Sequence, residues 1–218
     1  MPILNWLNKA QTVKVAKQSA YRLLDEIPEL SYGDTDNENL LIQGDNLEAL
    51  KALLPFYAGK VKCIYIDPPY NTGNEGWCYN DNVNSPLMKE WISKNANPVD
   101  KEDMQRHDKW LCMMYPRLKL LHELLADDGV IFVSIDDNEL PHLISMMNEI
   151  FNDHHVGTIP VVNNMKGRND KHNYAQCHEY VVIFDKGNFL SKGLPLSDKQ
   201  KKEFKHTDEN GEKYALSE

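Results

Sequence analysis

The chain has 218 residues, 41% of them apolar and 26% charged, which suits one soluble domain with a sizeable core and leaves room for a small appendage. The net charge of −9 weighs against a surface that coats nucleic acid at large, although a local basic patch is compatible with it. No apolar run is long enough to span a membrane, the N-terminus lacks a secretory pattern, and Cys63, Cys78, Cys112 and Cys177 form no C-x-x-C pair. The protein therefore reads as cytoplasmic, without a zinc site or a disulfide framework.

In chain order, residues 7–27 carry a helical pattern that Pro28 ends. The polar run SYGDTDNEN follows, and a soft boundary falls near residue 38. Three divisions result: a helical arm and linker (1–37), a core (38–190) and a tail or the start of a further region (191–218). The core opens with a predicted short strand, Asn39–Gln43. After a Gly-Asp-Asn turn, Leu47–Phe56 has the spacing of one helix face, and Asp45 with Glu48 resembles a capping box. Val61–Ile66 (VKCIYI) is nearly all apolar, as expected of a strand buried on both faces of a parallel sheet.

Residues 71–108 form a long polar segment with a short helix near Leu87–Lys94; long loops of this kind are often binding elements. Trp110–Leu125 is helical around Pro116, which either kinks one helix or begins a second. Asp127-Asp128-Gly129 stops it, and Val130–Ile135 is a second buried strand with Asp136 at its end. Asn138–Phe151 is a helix with Pro141 in its first turn. Val156–Val162 and Glu179–Phe184 then read as an antiparallel hairpin with a long, locally basic loop, added to a parallel sheet. The fold class is α/β.

The stretch Asp67-Pro68-Pro69-Tyr70 carries the chemistry. Ligands of open α/β sheets bind beyond the carboxyl ends of strands, where Asp67, Asp136 and Asp45 all fall. Two prolines fix their own φ and push their predecessors into extended backbone, giving a rigid turn that presents the Asp67 carboxylate and bare carbonyls as acceptors. Tyr70 adds a flat ring. Acceptors beside a ring suit a planar ligand with an amino group, such as a nucleobase taken out of its stack. Two acceptors on the protons of such an amine would free its delocalised lone pair for attack on an electrophilic methyl. A strand-ending turn without function is the competing reading, and it would win for a bare D-P-P.

These residues resemble the D-P-P-Y signature of amino-methyltransferases. The longer strings LLIQGDNLEALKALLPFYAGKVKCIYIDPPYNTG, KWLCMMYPRLKLLHELLADDGVIFVSIDDNEL and HEYVVIFDK are similar to the modification subunits of type III restriction-modification systems, β group, over residues 38–186. The resemblance implies a Rossmann-like methyltransferase sheet, mostly parallel with an antiparallel hairpin and incomplete in this chain. It implies methylation of adenine N6 from S-adenosylmethionine, with double-stranded DNA, a second modification subunit and a restriction subunit as partners.

Carried over by position, the Asp67 side chain and the Pro68 carbonyl would bind the amine, Pro69 would stiffen the turn and Tyr70 would stack on the flipped base. Asp67 also borders the cofactor. Asp45 would lie near the cofactor or simply cap a helix, and Asp136 has the same two readings. Tyr180, beside His178, would face the base or serve as an ordinary strand aromatic. Lys166, Arg168 and Lys171 would meet phosphate or form a solvated loop. The family's F-x-G-x-G motif for the methionine part of the cofactor is not found, and family members are longer. The chain is therefore expected to be an N-terminal portion. Cytosine N4 methylation is a rival, although that group usually has Ser in place of Asp67. A non-catalytic partner-binding module is another, and methylation of a protein or small-molecule amine a more distant one.

Overall fold

The apolar runs meet as a four-stranded sheet under a layer of helices. The computed structural model describes residues 3–33, 39–73, 106–162 and 177–214, the last stretch with gaps at 192, 196, 199–201, 203 and 212. In chain order the elements are α1 (Lys9–Gln18), a 3-10 turn (Pro28–Leu30), α2 (Asn46–Tyr57), β1 (Val61–Ile66), α3 (Arg106–Leu124), β2 (Leu125–Ile135), α4 (Leu140–Ile150), β3 (His155–Val162), β4 (His178–Asp185) and a small exposed hairpin of β5 (His206–Thr207) with β6 (Lys213–Tyr214).

The sheet order is β1-β2-β4-β3. β1 lies parallel to β2, with Ile64 opposite Ile131 and Ile66 opposite Val133. β4 runs antiparallel to β2 and pairs with β3 as the expected hairpin, with Val162 opposite His178. Among the described residues, then, the parallel part is the β1–β2 pairing. α3 is the spine of the helical layer: α1, α2 and α4 all pack on it. It runs unbroken through Pro116, so the one-helix reading of that segment holds. Its Trp110, Leu118 and Leu120 meet Leu143, Met146 and Met147 of α4 and Val182 and Phe184 of β4 in one core. Trp6 and Val15 join it, so the N-terminal arm packs into the core.

Five expectations are corrected. The first helix ends at Gln18, not residue 27: the Ser19 amide and hydroxyl both bond to the Val15 carbonyl, and Leu23 beyond it is exposed. Pro28 begins the 3-10 turn instead of ending a helix. Residues 39–43 form no strand, and Leu41 is fully exposed. β1 is not buried on both faces: Cys63 and Tyr65, two residues apart on one face, are exposed, Tyr65 at 62%, while Ile64 on the other face is buried. Finally, β2 starts at Leu125. Val61 faces Leu125 and Cys63 faces Val130, so Asp127-Asp128-Gly129 forms an irregularity inside the strand. Gly129 suits that place, since a Cβ there would lie 2.8 Å from the Val61 carbonyl oxygen.

Candidate active site

Because β1 and β2 are parallel and β4 is antiparallel to them, Asp67, Asp136 and His178–Tyr180 share one rim of the sheet. Asp67 is exposed there, immediately after Ile66. Pro68, Pro69 and Tyr70 are half-buried and lead to Asn71, which is buried in a left-handed conformation (φ 61°) that asparagine tolerates better than most residues. The Pro69 carbonyl is not bare, as expected, but accepts a hydrogen bond from the Trp110 indole at 2.7 Å. That bond pins the turn to the start of α3. The acceptors remaining at the turn are the Asp67 carboxylate and the Pro68 carbonyl.

Tyr70 is held at both ends. Its ring packs against the core, and its hydroxyl is shared between the carboxylates of Asp67 and Glu179, the latter at 3.3 Å. Burial, then the hydrogen bond to Asp67, push the phenol well above its ordinary pKa, so it remains a donor. Its contact orients one edge of the Asp67 carboxylate.

The other acids of the rim have structural duties. Asp136 accepts from the Asn138 amide at 2.9 Å and from its side chain at 2.8 Å, holding the entry to α4. Asp45 caps α2 by accepting from the Leu47 and Glu48 amides, at 2.9 and 3.2 Å. Glu48 turns to Arg22 at 3.0 Å, so the capping box is realised in its Asp45 half. The second Asp45 oxygen lies 3.8 Å from the Arg117 guanidinium, on α3 about 10 Å along the axis from Trp110. Tyr180 donates to Asp137 at 2.9 Å and meets His178 Nε2 at 2.8 Å, tying the start of β4 to the end of β2. Lys166, Arg168 and Lys171, and the helix expected near Leu87–Lys94, lie outside the described residues.

Comparison with known proteins fits this geometry. A family model described as DNA methylase, of the N6/N4 kind, matches residues 61–216, from the first residue of β1 through the rim and hairpin. The chain belongs to this DNA methylase family. It is 39% identical over 197 residues to the Mod subunit of the type III restriction-modification enzyme EcoPI of Escherichia phage P1, covering 84% of this chain and 30% of that protein. The Mod subunit of EcoP15I from Escherichia coli matches to the same extent. The type II methyltransferase M.KpnI of Klebsiella pneumoniae is 36% identical over 177 residues, 81% of this chain and 39% of that protein. The chain thus spans roughly a third of the length of these curated relatives.

Within the family frame, the structure adds residues that the sequence reading passed over. Trp110 and Glu179 contact the D-P-P-Y turn directly. Behind it, Asn71, His107 and His142 converge on the buried Glu139. The available signal was adjacency: His107 precedes Trp110 by three residues, and Glu139 follows Asp136 by three.

Proposed function

We propose that this chain carries the base-handling part of a site-specific DNA methyltransferase that modifies adenine at N6 within a type III restriction-modification system. The observation that carries the reading is the exposed Asp67 carboxylate at the carboxyl end of β1, set on a proline-stiffened turn that Trp110 and Tyr70 hold from behind. A flipped adenine would stack on Tyr70 and give its amine protons to Asp67 and to the Pro68 carbonyl. Both acceptors draw the nitrogen toward sp³ geometry and free its lone pair. The Tyr70 hydroxyl, kept protonated, holds the carboxylate in the orientation that receives the amine.

S-adenosylmethionine, when bound, supplies the electrophilic methyl. The described residues fit it in part. Asp67 would offer it an exposed acceptor. Asp45 and Asp136, the rim acids assigned to the cofactor side, already serve as caps, and the glycine-rich F-x-G-x-G pattern is not in the sequence. Double-stranded DNA is the proposed substrate, met by Lys166, Arg168, Lys171 and Tyr180. A second modification subunit and a restriction subunit are the proposed partners, in the cytoplasm.

Nucleoside mass spectrometry after incubation with DNA and S-adenosylmethionine tests the reading. N6-methyladenine supports it, whereas N4-methylcytosine as the product would move the chain to the cytosine branch. A partner-binding module that transfers no methyl would leave both products at background.

A further inference from the structure

Glu139 is fully buried at the boundary between β2 and α4. An ionised carboxylate in that position needs donors, because its desolvation is otherwise costly. Three arrive from three elements. The Asn71 side-chain amide, from the segment after β1, donates to Oε1. His107 Nδ1, from the first turn of α3, lies 2.6 Å from the same oxygen. His142 Nδ1, from α4, lies 2.7 Å from Oε2. The hydrogen bond that His142 donates to Glu139 holds its imidazole above the ordinary pKa against burial, and Asp108 of α3 adds a smaller push in the same direction.

Two histidines and a carboxylate also make a familiar metal-ligand set. The spacing argues otherwise. Atoms bound to one tetrahedral zinc at about 2.1 Å stand roughly 3.4 Å apart. Here each Nδ1 sits at hydrogen-bond distance from its carboxylate oxygen, the arrangement of a hydrogen-bonded clasp.

Asn71 is the link to chemistry. It directly follows Tyr70, is itself buried, and holds a left-handed backbone that needs support from its surroundings. We propose that Glu139, clasped by His107 and His142, is a positioning residue whose grip on Asn71 fixes the Tyr70 end of the Asp67–Tyr70 turn for methyl transfer. The proposal rests on reading that turn as the amine-binding element.

The test compares wild type with Glu139→Ala, Glu139→Gln and His107→Gln, using two readouts. Nitrogen NMR follows the Asn71 side-chain amide and the Trp110 indole N–H. Kinetics with S-adenosylmethionine and an adenine-containing duplex separate kcat from KM for DNA. Glu139→Ala is expected to move both resonances and to lower kcat by roughly tenfold to a hundredfold, with KM changed less than about twofold. Glu139→Gln, which keeps an acceptor for Asn71, recovers part of that loss. Should Glu139→Ala fail to fold, the other two variants carry the same comparison.

Unmoved resonances in a folded variant, or moved resonances with unchanged kcat, overturn the proposal. So does a wild-type rate that a chelator abolishes and stoichiometric zinc restores, which would make the cluster a metal site. If wild type transfers no methyl, the functional reading fails by itself. The resonances then decide: a shift upholds the grip on Asn71, and no shift overturns it.

Discussion

β1 and β2 are both predominantly apolar strands, lie side by side in parallel, and have different fates. In β2, Ile131, Val133 and Ile135 are fully buried between strand neighbours on both sides. In β1, Cys63 and Tyr65 face outward, Ile64 is buried in the core, and Val61 and Ile66 are only partly buried against it. The difference lies in what surrounds each strand, not in its own letters. It also divides labour. β2 anchors the sheet, while β1, held along one side, delivers the D-P-P-Y turn to the rim.

Substitutions on the two sides should separate by size. The largest effect is expected on the buried side. Phe184→Ala in β4 removes a fully buried ring packed 5.7 Å from Phe151 and should cost about 3–5 kcal/mol in denaturant unfolding. Next comes His122, whose ring meets the Phe151 edge at 4.8 Å. Burial, followed by repulsion from Lys186 and Lys119, lowers its pKa to about 4. The unfolded chain takes up that proton first, so stability should fall as pH drops from about 6.5 through 4. After discounting for partial exposure the loss is about 1–2 kcal/mol, and His122→Gln should flatten the slope.

On the open side the effects shrink. Asp45→Ala removes the α2 cap and should cost about 1 kcal/mol by the same assay. Tyr65→Phe removes the 2.8 Å bond between Tyr65 and Ser134 across the parallel pair and should cost less than about 1 kcal/mol. A Tyr65→Phe loss as large as that of Phe184→Ala would erase the contrast between the strands.

The same contrast explains what the sequence revealed. β1 matches its predicted bounds of Val61–Ile66, and the β3–β4 hairpin and Pro141 in the first turn of α4 appear as read, because each rests on a local signal. Asn39–Gln43 holds a shorter apolar run and forms no strand, since an apolar run does not by itself supply the neighbouring strand that a sheet requires. The site divides likewise. Asp67 through Tyr70 were legible from rigidity and position. The clasp on Glu139 was not, because Asn71 and His107 lie 68 and 32 residues from it and meet only in the fold.

The central claim is that the exposed Asp67 carboxylate handles the amine of the target base. Its most direct test is the yield of N6-methyladenine from wild type and from Asp67→Ala, each shown to be folded, with S-adenosylmethionine and duplex DNA. Under conditions in which wild type yields product, none above background is expected from the variant. Methylation by Asp67→Ala at the wild-type rate would contradict it.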